Sequence, residues 1–278
     1  MKRYPVALSV AGSDPSGGAG IQADLKTFSA LGVYGAAAVT AITVQNTKGV
    51  KYVHSVPAQV VYDQIVAVME DLHPDAVKIG MVNDAATLDA IIKALTDCRP
   101  HFLVVDPVMV SSSGKMLMSS DALTLLEKRL LPMTDLLTPN IPETSVLTGM
   151  PSVSANDVEA AARAILGYGT RSVLIKGGHA SGCVKTDMLF SILDGNISLN
   201  EYSAPSVASR NTHGTGCTLS SAIAAFVARG NSLVEAVGEA KRYLTSALAA
   251  GADIIIGDGK GPLNHFFSPV PAIVIDKE

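Results

Sequence analysis

The chain has no tryptophan, only three cysteines and no excess of basic residues. Cys98, Cys183 and Cys217 lie far apart and form no C-x-x-C pair, which argues against a disulfide framework and a structural zinc site and favours a reducing cytoplasm. The net charge is −4 without a basic run, so a nucleic-acid partner is not expected. No apolar run has the length of a membrane span, and a strand-length run rather than a signal peptide follows the basic first residues.

Apolar residues make up 48% of the chain and aromatic residues only 5%, so small aliphatic side chains must fill the core. Short apolar runs alternate with helical patterns, which predicts one α/β domain over residues 1–278 with a mostly parallel sheet. The predicted strands are 6–11, 36–44, 76–79, 101–106, 136–138 and 172–176, with an edge hairpin of 188–193 and 197–202 around Asp194-Gly195-Asn196. The predicted helices are 21–31, 60–72, 85–95, 120–131, 154–166, 215–228 and 233–250.

A glycine-rich segment precedes the predicted helix 215–228. Gly214 and Gly216 flank Thr215, and Cys217 follows at once. The glycines allow backbone N–H groups to converge at the first helical turn, where unpaired donors and the helix dipole favour an anion such as phosphate. A thiol inside such a site should be acidified. The alternative is a glycine-rich turn that only caps a core helix.

The first glycine-rich loop, 12–20, follows the first strand and opens the first helix. It contains a G-x-G-x-x-A pattern, but no acid occurs between Asp24 and Asp63 and Gln45 ends the second strand, so dinucleotide binding is not expected. We interpret the loop as a close cover over a small ligand, with Asp24 pointing into the pocket. The alternative for Asp24 is a partner of the helix dipole.

Polar residues also follow the other strands, where ligands bind in sheets of this kind. Asp106 is placed to hold magnesium through water, or is a turn acid before proline. Asn140 and Glu143 could orient magnesium and phosphate oxygens, although their spacing alone favours a capping box. Lys176 would be costly if buried without a partner, so it binds phosphate or extends to the surface.

Two further interpretations concern residues near these motifs. Residues 111–115, Ser-Ser-Ser-Gly-Lys, form a mobile lid or simply a polar loop. His213 lies close to Cys217 in sequence and suggests a thiol nucleophile, but no orienting acid for the histidine can be chosen from the sequence. The P-loop pattern G-x-x-x-x-G-K-[ST] is absent, so phosphoryl transfer would depend on the helix N-terminus, a lysine and magnesium.

In chain order, the motifs resemble those of the ribokinase-like small-molecule kinases, and within them the hydroxymethylpyrimidine/phosphomethylpyrimidine kinases of thiamine biosynthesis. The resemblance implies a single three-layer α/β/α domain, a homodimer, and successive phosphorylation by ATP of 4-amino-5-hydroxymethyl-2-methylpyrimidine and its monophosphate. The matching segments are AGSDPSGGAGIQADLKTF (11–28), KIGM (78–81), TPNIPE (138–143), KGGH (176–179) and NTHGTGCT (211–218).

The same resemblance implies roles for individual residues. Cysteine at position 217 is typical of this branch, whereas most ribokinase relatives carry aspartate there as the base. Bacterial pyridoxine kinases share these loops and the cysteine, and a ligand sensor that keeps the pocket is a third alternative; Gln45-Asn46-Thr47 favours the pyrimidine kinase. The implied pyrimidine contacts are Gly12, Asp24, Gln45, Met81, Val108 and Cys217. The implied ATP, phosphate and Mg²⁺ residues are Asp106, Asn140, Glu143, Lys176, Gly214, Thr215, Gly216 and Lys241.

Overall fold

The alternating apolar runs form one nine-stranded sheet within the part of the chain that the computed structural model describes, residues 2–109, 118–150, 154, 156–178 and 182–276. The strand order is β10-β9-β8-β7-β6-β5-β2-β3-β4, and the neighbours from β8 to β3 pair in parallel. Strands β1 and β11 pair separately. The strands are β1 (Lys2–Arg3), β2 (Val6–Ser13), β3 (Tyr34–Asn46), β4 (Gly49–Ser55), β5 (Ala76–Ile79), β6 (Leu103–Val105), β7 (Leu136–Leu137), β8 (Ser172–Ile175), β9 (Val184–Leu193), β10 (Asn196–Pro205) and β11 (Ile275–Asp276).

Helices cover both faces of this sheet. Because side chains alternate along β2, Leu8 and Val10 pack into one apolar cluster and Ala7 into the other. The first cluster includes residues of α2 to α6, and the second includes residues of α1, α7 and α8. The helices are α1 (Gly20–Ala30), α2 (Ala58–Leu72), α3 (Ala85–Asp97), α4 (Ser120–Leu125), α5 (Ile141–Thr148), α6 (Val158–Leu166), α7 (Thr215–Ala228) and α8 (Leu233–Gly251).

The predicted edge hairpin is confirmed. Asn196 pairs with Leu193, and the two turn residues Asp194 and Gly195 have φ angles of 50° and 77°. Positive φ at both central residues is the geometry of the tight turns that suit hairpins.

A second hairpin, β3 with β4, was not predicted. The ladder between these strands changes register between Val44 and Gln45, so the apolar residues of β4 do not alternate regularly in sequence. The irregularity lies beside Gln45, at the end of the sheet where the polar motifs converge.

Most helix predictions are confirmed to within a few residues, with two differences in detail. The predicted helix 120–131 is α-helical only over Ser120–Leu125 and continues as a π turn and a 3₁₀ turn that contains Pro132. Ser154 bonds to Asp157 as expected, but α6 begins after this turn, at Val158. None of the described helices is both long and apolar enough to cross a membrane.

Candidate active site

The N-terminus of α7 forms the centre of the site. Gly214 precedes the helix with φ of 83°, and a side chain at this position would collide with the carbonyl oxygen of Gly18. The glycine therefore brings the loop after β2 directly against the first turn of α7. The first N–H groups of a helix have no acceptor within it, so the turn containing Thr215, Gly216 and Cys217 offers donors to an anion.

Cys217 lies between the N-termini of two helices. The backbone N–H of Gly20, the first residue of α1, donates a hydrogen bond to the Cys217 sulfur. Burial nevertheless raises the pKa of the thiol to about 11, and the nearby Lys78 ammonium only partly offsets this effect. The expectation of an acidified thiol is therefore wrong, because desolvation outweighs the positive charges.

A cluster of charged side chains lies where β6 and β8 end. Nζ of Lys176 lies 2.7 Å from Oδ1 of Asp106 and 3.9 Å from Oε2 of Glu143. A Cβ on Gly216 would lie 3.4 Å from both the Asp106 carboxylate and the Lys176 ammonium. The cluster therefore contacts the first turn of α7, and any side chain at position 216 would narrow the space between them.

The Lys176 side chain is only 11% exposed and is paired with Asp106, so neither sequence interpretation was complete. Burial lowers the pKa of Lys176, but the carboxylates of Asp106 and Glu143 outweigh burial and raise it. For Asp106 the same two effects have the opposite signs. Burial raises the pKa of this carboxyl, but the positive charges of Lys176 and Lys78 outweigh burial and bring the pKa below its ordinary value. The lysine remains positive beside the anion-binding turn and does not extend to the surface.

Asn140 and Glu143 form the capping box that their spacing favours. Asn140 Oδ1 accepts from the Glu143 N–H at 2.9 Å, and Glu143 Oε2 accepts from the Asn140 N–H at 2.8 Å. Glu143 also belongs to the Lys176 cluster, where burial raises its pKa to about 7 despite the ammonium. The carboxylate that caps α5 therefore also lies beside the Lys176 ammonium.

The other wall of the site forms where β2, β3 and β5 end. A side chain at Gly12 would collide with the terminal methyl group of Met81, so these two predicted contacts meet directly. Gln45 lies at the end of β3, with its amide close to Thr43 and His213. Val108 is partly buried two residues beyond Asp106. The predicted residues 111–115 and His179 lie outside the described residues.

Asp24 does not point into an open pocket, which corrects the sequence expectation. Its carboxylate is fully buried and lies 2.8 Å from Nζ of Lys78, and the hydroxyls of Ser9 and Ser221 donate to it at 2.5 Å. The alternative of a simple helix-dipole partner is also incomplete, since the main partner is a lysine. Asp24 therefore lies in the buried interior, paired with Lys78.

Sequence reasoning missed two residues of the site region, Lys78 and Asp14. Lys78 is fully buried, and the carboxylate of Asp24 outweighs burial and raises its pKa. A lysine inside the apolar strand Ala76–Ile79 was a visible signal for a buried ion pair. Asp14 lies 2.7 Å from Nε2 of His213 and accepts bonds from the loop N–H groups of Ser16 and Ala19. His213 thus faces Asp14, which does not favour a thiol-nucleophile pair.

A cleft of about 480 Å³ lies on the α8 side, between the end of β10 and α8. Its lining includes Tyr202, Pro205, Gly238 and Lys241. Asp187 accepts from Nζ of Lys241 at 2.7 Å and, through its other oxygen, from the Gly177 N–H at 2.9 Å. These bonds link the cleft to the segment that carries Lys176.

Known proteins share this arrangement along most of the chain. A sequence model of the family described as "Phosphomethylpyrimidine kinase" matches residues 14–264. A hydroxymethylpyrimidine/phosphomethylpyrimidine kinase of Rhizobium meliloti is 50% identical over 263 residues, 94% of this chain and 97% of the relative.

Two solved structures show the same fold. A crystal structure of phosphomethylpyrimidine kinase from Clostridium difficile 630 is 43% identical with a TM-score of 0.76, covering 87% of this chain and 99% of that one. An ADP complex of Bacillus subtilis pyridoxal kinase is 31% identical with a TM-score of 0.86, covering 95% of this chain and 98% of that one.

The three-layer fold and the site at the strand ends define the class of the protein, a small-molecule kinase with the ribokinase-like architecture. The matches over nearly the whole chain then give the particular group. The chain belongs to the phosphomethylpyrimidine kinase family.

Proposed function

We propose that the protein transfers the γ-phosphoryl group of ATP first to the hydroxymethyl group of 4-amino-5-hydroxymethyl-2-methylpyrimidine and then to the resulting monophosphate, in thiamine biosynthesis. The observation that carries the proposal is the contact of the α7 N-terminus with the Lys176–Asp106 pair around Gly216. Helix N–H groups and a lysine ammonium that converge on one small space suit the charge of a transferring phosphoryl group.

The nucleotide occupies the α8 side of the site in this proposal. The cleft beside Lys241 has room for a nucleoside, and its link through Asp187 and Gly177 leads to Lys176. Lys176 and the first turn of α7 then contact the phosphates, and Asn140 fixes Glu143 beside them.

Cys217 lies where the acceptor alcohol has to approach. With a pKa of about 11 the thiol is neutral at pH 7, so we assign it to positioning the hydroxyl rather than to acting as a preformed thiolate. In the transfer, the alcohol oxygen forms the new bond to the γ-phosphorus and the bond to the bridging β–γ oxygen breaks. The alcohol proton leaves as the bond forms, through the phosphate or water, which a loose transition state permits.

Magnesium is a further part of the proposal. Among the described residues no group of three or more His, Cys, Asp or Glu side chains is arranged to hold a metal ion. The two carboxylates of Asp106 and Glu143 are enough for the usual magnesium pattern, in which one or two carboxylates, waters and substrate phosphates share the ion. The ion would neutralise phosphate charge, and transfer at full rate in excess chelator would contradict its involvement.

The alternative substrate class is a pyridoxine-type alcohol, which the similarity to the pyridoxal kinase structure keeps open. Gln45 favours the pyrimidine, because an amide offers a donor and an acceptor side by side, as an aminopyrimidine does. The direct experiment incubates the protein with ATP, Mg²⁺ and hydroxymethylpyrimidine and records product masses over time. The monophosphate should appear first and the diphosphate second, and the absence of both would contradict the proposal.

We also propose that the protein is a homodimer that works in the cytoplasm. On β3 and β4 the side chains of Ile42, Val44 and Tyr52 form a neighbouring apolar face, each more than half exposed. All three cysteines are free, which suits a reducing compartment. Sedimentation should give a dimer that Val44→Lys dissociates and the surface control Val234→Lys does not; a monomeric parent protein would contradict the dimer.

A further inference from the structure

Four polar side chains meet at the wall where β2, β3 and β5 end, which the proposed function assigns to the pyrimidine ring. Nε2 of His213 lies 2.7 Å from Oδ2 of Asp14 and 3.2 Å from the Nε2 end of the Gln45 amide. The Oε1 end of the same amide lies 3.2 Å from Oγ1 of Thr43. The amide of Gln45 is therefore held between a histidine and a threonine.

The proton on His213 can be assigned from its partner. Burial raises the pKa of Asp14, but hydrogen bonds from His213 and Ser16 outweigh it and bring the pKa to about 2, so the carboxylate is ionised and only accepts. Nε2 of His213 must then carry a proton and donate it to Asp14. The Gly18 backbone packs against the edge of the ring, where an added Cβ would come within 2.5 Å of Cδ2, and this close packing restricts rotation of the ring.

The proton on Thr43 can be assigned in the same way. Oγ1 of Thr43 lies 2.8 Å from the carbonyl oxygen of Ser13, which only accepts. A hydroxyl has a single proton, so the shorter contact takes it and Thr43 presents a lone pair to Gln45.

These two protons decide the orientation of the amide. With Nε2 facing His213 and Oε1 facing Thr43, N–H would face N–H and lone pair would face lone pair. Exchange of the two ends removes both mismatches. The NH₂ group then donates to Thr43, and the carbonyl faces the His213 N–H, whose single proton it shares with Asp14 at the longer distance. We infer that Gln45 works in this exchanged orientation and that Asp14, His213 and Thr43 are positioning residues that set substrate specificity through it.

The consequence for specificity depends on the proposed function. A fixed amide offers its remaining N–H on the Thr43 side and its remaining lone pair on the His213 side. An aminopyrimidine, with a ring nitrogen next to an exocyclic amine, pairs with both in one ring orientation only. A phenolic pyridine lacks this adjacent pair, so it leaves one amide group without a partner.

The orientation can be measured without any activity. The chain has only four glutamines, Gln22, Gln45, Gln59 and Gln64. With ¹⁵N-glutamine labelling of the full-length protein, the Gln45 side-chain signal is the one lost in Gln45→Glu. Its NH₂ protons should show nuclear Overhauser effects to the Thr43 side chain, and effects to the His213 ring protons instead would overturn the inference.

Kinetics test the consequence separately. In His213→Phe the ratio of kcat/KM for hydroxymethylpyrimidine to that for pyridoxine should fall about fivefold or more. His213→Gln, which still places an N–H near Asp14, should restore most of the ratio, and His101→Phe is the control at the opposite end of the sheet, where His101 is exposed.

A second variant covers the case in which His213→Phe does not fold. Thr43→Val removes the acceptor for the amide NH₂ and should lower the ratio in the same direction. An unchanged ratio in every folded variant would overturn the specificity role. If neither alcohol is phosphorylated by the parent protein, the proposed function fails while the measured amide orientation still decides the structural part.

Discussion

In the proposed function, Cys217 is the residue on which the transfer step depends most. Its sulfur lies between two helix N-termini, so Cys217→Ala removes the partner of the acceptor alcohol without exposing the core. We expect turnover with hydroxymethylpyrimidine to fall by about 10²-fold or more, the size typical of groups that assist an alcohol, and Cys217→Asp to retain part of it. Steady-state kinetics check this, with the exposed Cys183→Ala as the control. Turnover at the parent rate, with only the Michaelis constant raised, would reduce Cys217 to a packing contact.

Lys176 pairs with Asp106 in the fold, and we propose that it also contacts the phosphates; a double variant separates these two roles. Lys176→Met leaves the buried Asp106 carboxylate without its main partner, so the free energy of unfolding should fall by about 3–5 kcal/mol. Adding Asp106→Asn should restore much of this stability but not the transfer, because the cation beside the phosphates is still missing. Urea unfolding and ATP kinetics on both variants give the two readouts. Full activity in the double variant would show that Lys176 serves the fold only.

At the scale of elements, the two glycines that flank α7 form a matched pair. Gly214 and Gly230 both have positive φ, of 83° and 92°, but only Gly214 faces a backbone carbonyl, whereas nothing lies near Gly230. Gly230→Ala should lower the free energy of unfolding by about 1–2 kcal/mol from backbone strain alone. Gly214→Ala should lose more and should also lose phosphoryl transfer, since the loop after β2 must move. Equal effects of the two substitutions in urea unfolding and activity assays would contradict the close approach.

The segment after α8 carries a buried histidine, His265. Its Nε2 lies 3.0 Å from Oγ1 of Thr218, and burial lowers the pKa of His265 to about 4. Between pH 4 and the ordinary value of about 6.5 the unfolded chain therefore binds more protons, so stability falls as the pH is lowered. At pH 5 the buried His265 should therefore lower the free energy of unfolding by about 2 kcal/mol relative to its value at pH 8.

His265→Gln keeps a hydrogen-bonding group near Thr218 but does not titrate. The fall in unfolding free energy between pH 8 and pH 5 should be about 2 kcal/mol smaller in this variant than in the parent protein. His101→Gln serves as the exposed control. Identical pH profiles for His265→Gln and the parent protein would show that His265 is not buried in its neutral form.

The elements also show what the sequence could and could not predict. The parallel strands, α7 and the β9–β10 hairpin were predictable because their apolar periods and turn residues are regular. Strand β4 was not, because its ladder is irregular. At the site, the expectation that ligands bind beyond the strand ends correctly grouped Asp106, Lys176 and the α7 turn. Pairs such as Asp24 with Lys78 could not be predicted, because they join residues far apart in sequence and no local pattern encodes them. The prediction of an acidified Cys217 thiol was wrong for a similar reason, since burial is a property of the whole fold.

For the whole molecule, one sheet supplies both halves of the site. The wall that we propose to bind the ring lies at the ends of β2, β3 and β5, the cleft that we propose for the nucleotide lies at β10 and α8, and the N-terminal turn of α7 contacts the loop after β2. The family match spans residues 14–264 and so includes both halves. In the proposed function, one continuous site therefore chooses the substrate.

Side-by-side kinetics on hydroxymethylpyrimidine and pyridoxine, with ATP and Mg²⁺ and with product masses recorded, test this claim most directly. Mispairing of one amide group that the bound ring covers costs about 1–3 kcal/mol, so we expect kcat/KM to favour hydroxymethylpyrimidine about tenfold or more. Gln45→Met should shrink that preference, mainly by slowing the pyrimidine. Equal or greater efficiency with pyridoxine in the parent protein would contradict the account.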